Sequence, residues 1–335
     1  MQVSVIGAGV AGLACALELA ERGVEVELLE RAAQPGTGCS FFAGGMLAPW
    51  CEQESSGPLI ARLGEESLAW WRARFPATVV NGTLLVAHAR DAGELTQFAR
   101  RSTRFEWLSA AALAALEPDL GGRFAQGLHF RDEGHLDPRA ALAALTARLR
   151  ELGARLRFGV EVSAGMLRGR PVLDCTGLAA RAHLAALRGV KGEMLVLRLA
   201  ELSLARPVRL LHPRIPVYIV PRGEGCFMVG ATMIESDDGA RISARSMLEL
   251  LSAAYALHPA FGEAQIVEIG TAVRAAFPDN LPRLRREGGT LYVNGLYRHG
   301  FLLAPALARR AAEVLLNGAH FPEVMDEDPP QRRLA

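Results

Sequence analysis

Lysine is almost missing from this chain. Of 37 basic residues only Lys191 is a lysine, and 36 acids oppose them for a formal net charge of +1. A protein built around nucleic acid usually concentrates basic charge on one face, so this balance argues against that class. The arginine bias reads as GC-rich codon usage more than as chemistry. The five cysteines (Cys15, Cys39, Cys51, Cys175 and Cys226) are odd in number, widely spread and without C-x-x-C spacing. Neither a disulfide framework nor a zinc site is indicated, and reduced thiols are expected. His88, His129, His135, His183, His212, His258 and His320 show no metal-ligand spacing, so no metal is expected. No uninterrupted apolar run is long enough to span a membrane. Met1-Gln2 leads straight into the first strand without a signal peptide, and a soluble, cytoplasmic protein is expected.

What is present is a large apolar fraction, half of 335 residues, and a nucleotide-binding pattern at the start. Val3-Ser4-Val5-Ile6 leads into Gly7-Ala8-Gly9-Val10-Ala11-Gly12, and eighteen residues after Gly12 stands Glu30, closing the strand Val24–Glu30. In G-x-G-x-x-G the first glycine permits a tight turn, and the second lets backbone approach a pyrophosphate. The third lets the helix lie close on the strand, and the helix N-terminus offers free N–H groups to the phosphates. Glu30 is placed to accept hydrogen bonds from ribose hydroxyls. The pattern implies an adenine dinucleotide.

The helix Val10–Glu21 puts Val10, Leu13, Leu17 and Ala20 on one face and leaves Glu18, Glu21 and Arg22 for water. A glycine-rich stretch from Pro35 to Gly45 is too poor in bulky residues for ordinary core. Residues 59–74 read as a helix carrying Trp70-Trp71, which suits core. Strand-like pieces at 82–87 and 127–130 lie among alanine-rich helical segments, and a helix Arg139–Leu152 follows Asp137-Pro138. Short alternating strands at 193–199, 217–220 and 226–230, with no helix between them, indicate a mainly antiparallel sheet. A helix at 243–257, a strand Thr290–Asn294 and a helix at 304–317 complete the reading. The expected fold is α/β, a Rossmann-like domain with an inserted antiparallel sheet. The nucleotide domain would comprise residues 1–78, 135–190 and 270–325, and the substrate domain 79–134 and 191–269. Residues 326–335 read as a disordered tail.

Three further segments raise the specificity: Gly38-Cys39-Ser40-Phe41-Phe42-Ala43-Gly44-Gly45-Met46-Leu47-Ala48-Pro49, Val217-Tyr218-Ile219-Val220-Pro221-Arg222-Gly223 and Gly295-Leu296-Tyr297-Arg298-His299-Gly300-Phe301-Leu302-Leu303. Together with the first motif they resemble the D-amino-acid oxidase superfamily of flavoproteins, and within it most of all the glycine oxidases of thiamine biosynthesis. The resemblance runs from residue 3 to about 317 and is weakest over 88–125. It implies FAD in a glutathione-reductase-type Rossmann domain. The adenine end would lie at Gly7, Gly9, Val10, Ala11, Gly12, Glu30 and Arg31, with Val162, Thr176 and Gly177 as backbone contacts. The isoalloxazine would lie near Ser40, Gly44, Gly45 and Met46, and Arg298, His299, Gly300, Phe301, Leu302 and Leu303 would face its polar edge. With a single G-x-G-x-x-G there is room for one cofactor, unlike reductases that also take NAD(P)H.

The same resemblance implies that Arg274 and Tyr218 hold a substrate carboxylate, with Arg298 as the second arginine of the pattern. A guanidinium grips a carboxylate through two parallel hydrogen bonds and the phenol adds a third. The implied reaction is oxidation of a small amino acid to its imine with O2 as acceptor, and the implied partner is thiazole synthase. Departures from the family pattern are Ala275-Ala276 after Arg274, Asn280, and His299. Other readings stay open. Arg274 as a structural ion-pair partner, Tyr218 as core and His299 as a structural residue are the local ones. For the whole chain they are a sarcosine or D-amino-acid oxidase, a dehydrogenase passing electrons to a carrier, and a flavin-binding subunit without chemistry. Neither Cys39 nor Cys51 shows support for a covalent flavin link. A homo-oligomer is compatible with the composition, and the sequence does not select one.

Overall fold

The computed structural model describes residues 1–167, 169–212 and 216–325; the tail at 326–335 lies outside the described residues. The chain forms two main sheets. The first has six strands in the order Arg283–Glu287, Thr290–Asn294, Val172–Asp174, Gln2–Ile6, Glu25–Glu30 and Arg155–Phe158. All neighbours are parallel except the first pair, a hairpin. The first helix, Val10–Glu21, packs against the helices Pro138–Glu151 and Gly300–Asn317. Enclosed in this way, it buries Leu13, Leu17 and Leu19 completely, and burying each contributes about 1.5–3 kcal/mol. The enclosure also overrides the amphipathic expectation at Glu18, which is buried at 4% exposure. Its carboxylate accepts from Trp70 Nε1 and from Arg22 Nη1, the partners a buried charge needs.

The second sheet runs Ile234–Glu235, Arg188–Arg198, Cys226–Gly230, Val217–Pro221, Val208–Leu211, Thr83–Ala87, Gln126–Phe130 and Glu106–Ser109, with Gln265–Ala276 along the other edge of Arg188–Arg198. Every pairing is antiparallel except that of Val208–Leu211 with Thr83–Ala87. This is the α/β fold with a mainly antiparallel inserted sheet. The strand Gln265–Ala276 crosses position 270, where the nucleotide domain was expected to resume, and pairs in the second sheet through Ala276.

Two helix boundaries differ from the sequence reading for physical reasons. The helix expected at 59–74 extends back to Pro49, with a kink where Gly57 adopts φ 78° ahead of Pro58. The helix expected from 304 starts at Gly300. Pro305 lies inside it without breaking it: lacking an N–H, Pro305 leaves the Phe301 carbonyl free, and that oxygen accepts from Trp71 Nε1 at 2.8 Å. Among the described residues no helix is long and apolar enough to cross a membrane, and no cluster of three metal-ligating side chains occurs.

Candidate active site

The turn between the first strand and first helix is shaped by glycine. Gly7 adopts φ +95°, and a Cβ on Gly12 would stand 1.8 Å from the Gly7 carbonyl oxygen. No side chain other than hydrogen fits there. Gly9 precedes the helix, which has no capping side chain of its own, and Ser40 Oγ accepts from the Val10 N–H at 3.0 Å. Ala11 continues the first turn. Glu30 accepts the Ala8 N–H on one carboxylate oxygen and the Ala32 N–H on the other, at 2.7 and 2.8 Å. It therefore sits against the glycine turn, with lone pairs left for a ribose. Arg31 is exposed beyond it. Gly159 and Val160 donate to the carbonyls of Ala32 and Glu30, bringing half-buried Val162 to the same end. Thr176 and Gly177 follow Cys175, whose carbonyl oxygen a Cβ on Gly7 would meet at 2.8 Å. These residues form a continuous cradle from the glycine turn to Glu30, which fits an adenine dinucleotide.

The cradle continues into a cavity where the two sheets meet. It is lined by Ser40, Gly44, Tyr218, Arg274, Arg298 and Gly300, among others. Gly45 adopts φ +71°, and a Cβ there would stand 2.1 Å from the Leu136 carbonyl oxygen. On Gly44 a Cβ would stand 2.7 Å from the Tyr218 ring. Arg222 fixes this turn: its guanidinium donates to the carbonyls of Ala43, Gly44 and Leu136 at 2.9, 3.1 and 3.0 Å. Met46 follows, half-buried against the cluster of Met194, Val220 and Met228, on which Phe42 also packs. On the facing side Gly300 opens the last helix. His299 at its N-cap makes no side-chain cap bond, which leaves the first-turn N–H groups of Gly300, Phe301 and Leu302 without intrahelical partners. Phe301, Leu302 and Leu303 are themselves buried and anchor the helix.

Arg274 sits opposite Val190 on the paired strand, and its guanidinium lies over Gly192, where a Cβ would be 2.2 Å from Nη2. Nη1 donates to the Thr232 carbonyl at 3.0 Å, and among the described residues Arg274 has no carboxylate partner. The structural ion-pair reading of Arg274 therefore finds no carboxylate partner among the described residues. Tyr218 packs between Gly44 and Gly230, and burial raises the pKa of its hydroxyl, offset in part by Arg274. It is a neutral donor at physiological pH.

Arg298 is differently placed. Its Nη2 lies 2.6 Å from Glu52 Oε2 and 2.5 Å from Ser55 Oγ, so its carboxylate partner is internal. Glu52 also receives Arg209 Nη1 at 2.9 Å and His299 Nε2 at 2.9 Å. Burial pushes the Glu52 carboxyl up, but Arg298 and Arg209 outweigh it and hold the group well below the usual carboxylate range. Burial lowers the pKa of His299. Lowering favours the neutral ring; its Nε2 lies 2.9 Å from Glu52 Oε2 and 3.2 Å from Arg298 Nε, and Nδ1 is buried without a partner among the described residues. Sequence reasoning missed Glu52, Arg209 and Gly192, because nothing in their local patterns marks them, and it included Arg222 in the 217–223 segment without assigning it a role. Cys39 donates to the Val273 carbonyl and Cys51 is buried.

With this geometry in view, the comparisons with known proteins are consistent. The family model DAO, FAD dependent oxidoreductase, matches residues 2–314. A relative from Rhizobium etli that carries the name of a thiamine biosynthesis oxidoreductase, ThiO, is 58% identical over 324 residues, covering 96% of this chain and 99% of its own. The bifunctional protein ThiO/ThiG of a Nostoc species is 29% identical over 354 residues, covering 94% of this chain but only 52% of that protein. The crystal structure of glycine oxidase from Geobacillus kaustophilus has the same fold, with a TM-score of 0.81 at 24% identity, covering 97% of this chain and 98% of that one.

Proposed function

The chain belongs to the DAO family of FAD-dependent oxidoreductases, and from that premise we propose that it oxidises glycine, or a small related amine, to the imine used in thiamine thiazole synthesis. The observation that carries this reading is the guanidinium of Arg274, without a carboxylate partner among the described residues, sharing a cavity with Tyr218 and the open first turn at Gly300. A binding module without chemistry has no need of a carboxylate clamp.

FAD, which Gly7–Gly12, Glu30 and the Gly44-Gly45 turn would hold, would supply the hydride acceptor and the route for electrons to O2, with hydrogen peroxide as the product. The protein's own contribution is orientation and charge. Arg274 and Tyr218 grip the substrate carboxylate and so fix Cα, which removes much of the entropic cost of reaction. Arg274, Arg298 and Arg209 against the single ionised Glu52 keep the cavity electropositive, which favours the neutral amine from which hydride leaves. The N–H groups and dipole at Gly300, Phe301 and Leu302 stabilise negative charge developing beside them. No side chain has to act as base. Thiazole synthase is the proposed consumer of the imine, since an imine released to water hydrolyses. The Nostoc relative, named for two activities and about twice as long, supports that pairing.

The test is anaerobic mixing of the holoprotein with glycine, sarcosine, D-alanine and D-proline, followed at the flavin absorbance. Bleaching by glycine that reverses in air with peroxide formed is the expected result. Bleaching by sarcosine or D-alanine alone would reassign the substrate, and bleaching without recovery in air would reassign the acceptor. Silence with all four amines would remove the proposal.

A further inference from the structure

Two arginines line the substrate cavity, and their charges are balanced differently. Arg274 has no carboxylate partner among the described residues, whereas Arg298 has Glu52 at 2.6 Å. Glu52 does not arrive there by chance of a flexible surface chain. Its side chain is 14% exposed, and Arg209 holds its other oxygen at 2.9 Å. His299 and Ser55 complete the arrangement on Oε2 and on the Arg298 guanidinium, respectively. The result has the chemistry of a second carboxylate site already filled by the protein's own carboxylate.

We infer that Glu52 determines specificity by occupying Arg298, so that the cavity takes amines with one carboxylate and excludes those with a second. This rests on the amino-acid-oxidase reading above. A substrate carboxylate on Arg274 leaves the amine directed toward Arg298, the other arginine lining the cavity, whose Nη2 already has Glu52 as its partner. A second carboxylate on the amine side competes with Glu52 for the Arg298 guanidinium. To take Nη2 of Arg298 it has to displace Glu52, leaving that acid buried and short of a partner. Iminodiacetate is the discriminating probe, because it presents the same reacting CH2 as glycine and adds one carboxymethyl group on nitrogen.

The experiment compares kcat/KM for glycine, sarcosine and iminodiacetate in the wild-type holoenzyme, in Glu52→Gln and in Glu52→Gln combined with Arg298→Met. Anaerobic calorimetric binding of iminodiacetate is measured alongside. The wild type is expected to favour glycine over iminodiacetate by about 100-fold or more, and Glu52→Gln to raise the iminodiacetate-to-glycine ratio by about tenfold or more, the scale of a removed competing charge. Calorimetric affinity should rise with it, and both gains should vanish in the double variant. A wild type that uses iminodiacetate about as well as glycine overturns the inference without any variant having to fold. So does a folded Glu52→Gln with an unchanged ratio, or a gain that survives Arg298→Met. Failure of the wild type to oxidise glycine or sarcosine removes the underlying reading instead.

Discussion

At the scale of single residues, the arginines and acids of the cavity separate by partner. Arg274 is held by one carbonyl and leaves most of its donors unused, whereas Arg298 spends its charge on Glu52. Hydrogen bonds to charged groups contribute about 1.5–3 kcal/mol each, so Arg274→Ala should raise KM for glycine by about 10–100-fold or more, and Tyr218→Phe by about tenfold. Unchanged steady-state kinetics for Arg274→Ala would sink the clamp. Glu133 supplies a pH-dependent counterpart. It is fully buried, its Oε1 accepts the Cys51 N–H at 2.7 Å, and burial pushes its pKa up to about 8. Between the unfolded pKa and that value the folded state holds a proton that the unfolded state has lost. Stability from this group is therefore fully present below about pH 4.5, falls as pH rises from there, and is lost once pH passes about 8. Glu133→Gln, which mimics the neutral acid, should melt close to wild type near pH 4.5 and progressively above it as pH rises to about 9. A melting-temperature difference that does not grow with pH would contradict the assignment.

At the scale of elements, the legible parts were those whose shape depends on residues close in sequence. The turn Gly7–Gly12 could be read because a Cβ at Gly12 collides with a carbonyl five residues away, and the first helix because its leucines recur at helical spacing. The charge cluster could not be read in this way. Glu52 meets Arg209 across 157 positions and Arg298 across 246, and no local pattern encodes such a meeting. Glu18 misled for the same reason, since its burial depends on Trp70 from another helix. Arg222 stands in a segment the sequence singled out, but its long-range contacts could not be read there, and they make a testable claim about the Gly44-Gly45 turn. It bridges three carbonyls across about ninety to one hundred and eighty positions of chain. Losing those charge-assisted bonds in Arg222→Met frees the turn and should weaken FAD binding by about 10–100-fold. Flavin retention on dialysis and a fluorescence titration of the apoprotein measure this; undiminished affinity would show that the turn holds without its pin.

At the scale of the molecule, the α/β class and the inserted antiparallel sheet were legible from the change of pattern near residue 190. The way the sheets meet was not. Each sheet has its own apolar core, and the cavity is built from both: Tyr218 and Arg274 come from the second sheet, and Gly300 and Ser40 from segments packed on the first. A ligand lying from the Gly7 turn to Gly44 and Gly300 touches elements of both halves and ties them together. FAD at 100 times its dissociation constant stabilises the folded state by about 2.7 kcal/mol. For 335 residues at ~2.1 cal/mol/K per residue, the unfolding entropy is ~0.7 kcal/mol/K, so FAD should raise the melting temperature by about 4 °C. Because the contacts fall on both sheets, the shift should move one cooperative transition as a whole. Calorimetric scans of apoprotein and holoprotein decide the point. Two transitions of which FAD moves only one would mean that the sheets unfold independently and that the cavity between them is not what couples cofactor to substrate.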